Sequence, residues 1–380
     1  MSGQPKPKAR RGWTAVIALA VILAALVIHP GGARNLPRLD EGWPLLCLVA
    51  AIVAALAGVF KPGSRLVSGS LIALGVLLGA LAPLFLFGGH PLPASAAAGL
   101  WLYVLALTLL MWCALETLAE VVTPNWIGAL VVPGLFGLWL VFLWQVLVVG
   151  LSVPAVLLPS PDRVEHVFVT HLYMLWQDFR QTFLKAVLSG FVIGSGAGFL
   201  VAILADRVSF LRRGLLPLGY LMSAVPIVGI APIMVMWFGF DWQSKAAVVV
   251  VMTFFPMLVN TLAGIHSAEA IEHDLMHSYG ASYAQTLLKL RLPNALPFIF
   301  NALKINSTLA LIGAIVAEFF GTPVVGMGFR ILVEIGRMNM DMVWATIVVA
   351  ALAGSMFYGA LALLERGLTF WHPSYRQERP

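Results

Sequence analysis

The chain has 380 residues, 60% of them hydrophobic and only 11% charged, with a formal net charge of +6. A soluble globular domain carries roughly a quarter charged residues, so this composition excludes a water-soluble globule and marks an integral membrane protein. The basic balance does not call for nucleic acid, because Lys and Arg also gather in the cytoplasmic loops of membrane proteins and set their topology. Cys47 and Cys113 lie inside apolar runs and read as packing residues, not as a disulfide pair.

A basic start with Lys6, Lys8, Arg10 and Arg11 leads into an apolar run from Trp13 to Ile28. No small-residue cleavage site closes that run, so it is expected to stay as a first helix with its N-terminus in the cytoplasm. Further runs of roughly twenty residues, the length needed to cross hydrocarbon, follow at Pro44 to Phe60, Leu66 to Phe87 and Ala96 to Leu115. After the polar stretch Glu116 to Asn125 come Ile127 to Val149, Thr182 to Leu204, Leu216 to Phe238, Ala246 to Ile265, Ala295 to Phe319 and Met342 to Leu364. An all-α polytopic protein of about ten spans is expected, with both termini cytoplasmic. Lys61, Arg65, Arg207, Arg213, Lys289, Arg291, Lys304 and Arg366 then fall on the inner side, as the positive-inside bias requires.

Two segments are too polar to span. Ser152 to Arg180 opens with Pro154, Pro159 and Pro161, and Val164 to Phe179 is expected to form an amphipathic surface helix. Phe320 to Asp341 holds Gly321, Pro323, Gly326 and Gly328, then a second candidate surface helix, Phe329 to Arg337. The natural boundary lies near Pro124. It separates a four-helix extension, residues 1–125, from a six-helix part, residues 126–373, and a cytoplasmic tail, residues 374–380.

Between the apolar runs ending at Ile265 and starting at Ala295 lies a polar break of about thirty residues. Ser267 to Tyr279 lacks Gly and Pro and can form a short helix. Gly280 can stop it in the left-handed conformation. Ala281 to Leu292 can restart as a second helix, with Pro293 and Pro297 punctuating the return to the membrane. Ile271, Leu275, Met276 and Tyr279 are placed to present side chains to a groove on another protein, and an ordinary surface helix on lipid headgroups is the plainer alternative.

Gly280, nine intervening residues, then Leu290, Leu292 and Pro293 keep the register of a loop pattern, E-A-A-x3-G-x9-I-x-L-P, found in permeases of ATP-binding-cassette importers. Asp274 stands for its Glu, and Leu275-Met276 for its two alanines. The run Ala310 to Phe319, Gly326-Met327-Gly328, Pro226, Ala231-Pro232 and Trp237-Phe238-Gly239 also resemble the nitrate/sulfonate/taurine branch of those permeases. The resemblance covers roughly Gly128 to Trp371 and implies a MetI-like type I importer fold.

It implies a role as well. Residues 266–293 would be the loop that couples to an ATPase, with Ile271, Asp274, Leu275, Met276, Tyr279, Gly280, Leu290, Leu292 and Pro293 as its working residues. The partners would be a second copy of the chain, two ATPase subunits, an extracytoplasmic solute-binding protein and the lipid of a bacterial inner membrane, with no nucleic acid. ATP and Mg would sit on the ATPase, and this chain would hold no cofactor and no metal. The solute would be a small anion such as nitrate, a sulfonate or taurine.

The residues fit that division of labour. No G-x-x-x-x-G-K-[ST] occurs, so the chain has no P-loop to hold nucleotide phosphates. His273 and His277 stand four apart, but the central Glu and third ligand of a zinc protease are missing. Gly190, Gly194 and Gly198 offer a smooth helix face, most simply for packing within the chain. Ser223, Pro226 and Pro232 are candidate pore-wall positions, since broken helix is tolerated where backbone faces protein or a cavity, a simple kink being the equal alternative. Glu318, near the end of an apolar run, is a candidate pore or gate residue that can brace the Gly-rich loop after it. Lys304 is expected to snorkel to headgroups. The alternative, a secondary transporter driven by an ion gradient, predicts inverted repeats and paired charges at mid-membrane, and the sequence displays neither.

Overall fold

A computed structural model describes residues 8–27, 43–60, 64–89, 94–121, 126–208, 210–211, 213–215, 217, 226–321 and 324–371. The described residues are helical and contain no strand. Among them, seven helices are long and apolar enough to cross a membrane, and three shorter apolar helices, Thr14–Ala25, Leu45–Phe60 and Ile227–Phe238, accompany them. Each overlaps one apolar run of the sequence; of the run Leu216 to Phe238, residues 216 and 218–225 lie outside the described residues. Contacts divide the chain into two compact units, Met1–Arg163 and Val164–Pro380.

In the first unit, α1 (Lys8–Val27), α2 (Trp43–Phe60), α3 (Arg65–Gly89) and α4 (Ala94–Val121) pack on one another, and α5 (Trp126–Gly150) lies against α3 and α4. Small residues let the backbones approach, which is how helices associate where apolar burial alone gives no advantage over lipid. Ala18, Ala51, Ala54, Ala55 and Ala106 are buried to within 0% exposure. Tyr103 is fully buried, its hydroxyl 3.1 Å from the Gly79 carbonyl and 3.3 Å from that of Cys47. Both cysteines are free and buried.

In the second unit, α6 (Pro161–Thr170) is followed by one continuous helix, α7 (Leu172–Arg207). This corrects the expectation of a single surface helix from Val164 to Phe179. The break falls at His171, and the later part joins the span. Asp178 and Thr182 need no water there, because Asp178 pairs with Arg330 and Thr182 bonds Glu318 and Met327. A π-helical stretch, Arg180–Val187, marks the join.

The core of this unit is α7 against α9 (Trp242–Ile265), and α9 against α11 (Tyr283–Glu318). Gly190, Gly194 and Gly198 pack within the chain: a Cβ at Gly194 would stand 2.7 Å from the Val250 carbonyl, and one at Gly198 would collide with that of Phe254. Asn306 of α11 is fully buried and donates to Ser195 (2.9 Å) and to the Thr253 carbonyl (2.7 Å), joining the three helices at one level. The helix α8 (Ile227–Phe238) packs on α9 and α11, and α13 (Met340–Leu368) on α11 and α12 (Met327–Gly336). Lys304 does not reach for headgroups. It pairs with Glu365 of α13 at 2.6 Å.

Candidate functional site

The polar break folds as a hairpin whose first leg is α10 (Ala270–Ser278). The Glu269 backbone N–H donates to Glu272 Oε2 at 3.0 Å, so a capping side chain fixes the start of the helix. At the other end Gly280 has φ +64°, with Ala281 N–H bonded to the Met276 carbonyl (3.0 Å) and Gly280 N–H to that of His277 (2.9 Å). That pair is the Schellman arrangement, and it requires the left-handed residue that glycine supplies. Ser282 and Gln285 then cap the next helix reciprocally, at 2.8 and 3.4 Å.

The second leg is not a separate helix. It runs from Tyr283 through Pro293 and Pro297 to Glu318 as the single helix α11. A π-helical turn, Leu287–Arg291, precedes Pro293, and Leu292 N–H bonds the Leu287 carbonyl across it. A widened turn just ahead of a proline absorbs the ring and the missing donor without ending the helix.

Sequence-predicted residues separate into two groups. Ile271 and Leu275 on α10 and Tyr279, the residue that ends it, stand at i, i+4 and i+8 and are 72%, 57% and 82% exposed. No residue of α10 is buried. Asp274 is exposed beside this stripe and Met276 half-buried. Leu290, Leu292 and Pro293 are half-buried in α11, at the root of the hairpin.

The root holds residues that sequence reasoning missed. The Asp206 side chain, at the end of α7, is 1% exposed. Its Oδ2 accepts from the Tyr283 hydroxyl (2.7 Å) and from Arg291 Nη1 (3.0 Å), and His266 Nε2 lies 3.3 Å from Oδ1. The Arg207 and Arg291 guanidinium groups lie 5.6 and 5.9 Å from the centroid of the Tyr283 ring. Glu272 also accepts from Asn294 Nδ2 at 3.1 Å, tying α10 to α11. The one available signal was an Asp closing the apolar run Ala202-Ile203-Leu204-Ala205.

At the opposite end of α11, Glu318 is 2% exposed. Its Oε1 accepts from Thr182 Oγ1 (2.7 Å) and its Oε2 from Gly328 N–H (2.6 Å). Asp178 accepts from Gly326 N–H and Arg330 Nε, both at 2.8 Å. Gly326 has φ +147°, and a Cβ there would sit 2.7 Å from the Glu318 carboxylate. Two carboxylates and a threonine thus clamp the Gly326-Met327-Gly328 turn. Lys245, 1% exposed, donates to the Phe240 carbonyl at 2.6 Å in the neighbouring loop. Pro226 is the exposed residue before α8, and Pro232 lies inside that helix, half-buried. Ser223 lies outside the described residues.

A polytopic helical protein with a capped hairpin holding an apolar stripe clear of the bundle has the build of a transport permease. Residues 190–370 match the family described as binding-protein-dependent transport system inner membrane component. The riboflavin transport system permease protein of Chloroflexus aurantiacus is 33% identical over 248 residues, 65% of this chain and 91% of that one. The formylaminopyrimidine transport permease protein of Halalkalibacterium halodurans is 32% identical over 243 residues, 63% and 95% of the two chains. A putative aliphatic sulfonates transport permease protein of Bacillus subtilis is 30% identical over 254 residues, 66% and 90%. The chain belongs to this family: it is the permease component of an ATP-binding-cassette importer. Helices α1 to α6 precede the matched residues.

Proposed function

We propose that this permease is worked by a separate ATPase, which grips it at α10. The observation that supports this is the stripe of Ile271, Leu275 and Tyr279, three large apolar side chains more than half exposed along α10 and its last cap, with Glu272 bonding the Glu269 N–H at one end and the Gly280 turn closing the other. Exposed apolar clusters of this kind mark interaction surfaces. Burying such a side chain contributes about 1.5 to 3 kcal/mol, enough for three to hold a partner. The ATPase carries ATP and Mg, and this chain makes no covalent step.

The hairpin lies on the cytoplasmic side, with both termini there too. The unit from residue 164 onward pairs with a second copy, and the pathway runs between the two copies. An extracytoplasmic binding protein delivers the solute. Relatives are named for riboflavin, formylaminopyrimidine and aliphatic sulfonates, so the solute is a small organic compound, a sulfonate-like anion being the first to test.

The test is co-purification. Ile271→Ser with Leu275→Ser is expected to leave the permease inserted and to release the ATPase. Retention of the ATPase by that double variant would overturn the assignment of α10.

A further inference from the structure

Asp206 belongs to α7, yet the groups that hold its carboxylate come from elsewhere. His266 lies just beyond the end of α9, before α10, while Tyr283 and Arg291 lie after Gly280 at the start of α11. The carboxylate therefore collects, at one point on a third helix, the end of α9 that leads into the hairpin and the start of α11 that leaves it. It also governs the guanidinium: Arg291 Nε has no hydrogen-bond partner, and its Nη1 is held by Asp206. The chain itself carries any movement of α10 into α9 and α11, with which it is continuous. Among the described residues the ion pairs that join the hairpin root to α7 are those of Asp206, with the Arg207 guanidinium over the Tyr283 ring beside them.

We propose that Asp206 is a positioning residue that locks the root of the hairpin, at His266 on its entry and at Tyr283 and Arg291 on its exit, to the end of α7, so that displacement of α10 moves that end of α7 together with α9 and α11. Away from the root α7 is already held to α9 and α11 by its glycine face and by Asn306, so what Asp206 adds is a lock at the hairpin end, without which the root would bend relative to that end of α7. The inference rests on the docking of an ATPase at α10. A carboxylate is suited to the task because it accepts from several donors at once and attracts Arg291. An amide keeps the shape and loses the charge.

The experiment uses the full complex with its ATPase subunits, Cys47 and Cys113 replaced by Ala, and spin labels at His277 on α10 and Leu200 on α7. Leu200 is 60% exposed and His277 is exposed, so both accept a label. The distance between them is measured without nucleotide and after trapping with MgATP and vanadate. The wild type is expected to keep one distance in both states. Asp206→Asn is expected to keep it without nucleotide and to shift or broaden it on trapping, Asp206→Glu to restore the wild-type behaviour, and Tyr283→Phe, which removes one hydrogen bond, to give a smaller shift.

An unchanged distance on trapping in Asp206→Asn would overturn the proposal. So would an altered distance before nucleotide is added, or loss of the ATPase from that variant, since both mean a purely structural role. Failure of the docking reading is seen separately, as an ATPase that stays bound to the Ile271→Ser, Leu275→Ser variant.

Discussion

Lys304 of α11 and Glu365 of α13 form an ion pair 2.6 Å long, with side chains only 19% and 8% exposed. Each compensates a charge the other could not leave in apolar surroundings. Removing one partner of a buried pair costs about 3 to 5 kcal/mol, whereas replacing both by apolar or neutral groups is often nearly free. Lys304→Met is therefore expected to lower the unfolding temperature in detergent, and Lys304→Met with Glu365→Gln to recover most of the loss. An equal loss in the single and double variants would show that the pair does not couple the helices.

Gly280 has open space around the position of a Cβ, so only its φ of +64° resists substitution. A left-handed residue with a side chain costs about 1 to 2 kcal/mol, and Gly280→Ala should loosen the turn by that amount while the spans stay intact. Gly280→Asp adds a charge beside the apolar stripe. Limited proteolysis should cut the hairpin faster in both variants, and co-purification of an ATPase should fall further in Gly280→Asp than in Gly280→Ala.

Along α7 the glycines are not equivalent. A Cβ at Gly194 would collide with Thr253 and with the backbone of Val250, and at Gly196 it would meet nothing within 4 Å. Overpacking a tight contact costs about 1 to 3 kcal/mol, occasionally more. Gly194→Ala should lower thermal stability by at least that much, and Gly196→Ala should leave it unchanged or raise it slightly. A reversed order in a melting assay would contradict the packing of α7 on α9.

Asp241 caps α9 and gives a pH test. Burial pushes its carboxyl up, but donation by Trp242 N–H and Gln181, with Lys185 and Lys245 nearby, outweighs that and holds it below the ordinary carboxylate range. A carboxyl lowered in the folded state stabilises it above the unfolded pKa of about 4, and that contribution is lost as pH falls through the lowered value. Asp241→Asn should thus melt earlier than the parent at pH 6 to 7. The gap should close as pH falls below about 4.

The spans were readable because each is a long apolar run, and the hairpin because Gly280 closes a stretch free of Gly and Pro. What pairs with what was not. Asp206 finds Arg291 across 85 positions, and Asp178 finds Arg330 across 152; no local pattern encodes such meetings. Arg207, Arg291 and Lys304 looked like topology charges because a sequence shows that a residue is basic without showing what faces it. The two π-helical stretches were equally hidden, since each lies where proline or polar residues suggested a break and the helix instead changed its pitch and went on.

That continuity gives α11 a mechanical character. At 1.5 Å per residue its 36 residues extend about 54 Å, against hydrocarbon about 30 Å thick. A helix of that length exceeds the hydrocarbon thickness, and it joins the Gly280 bend at one end to the loop that Glu318 closes at the other.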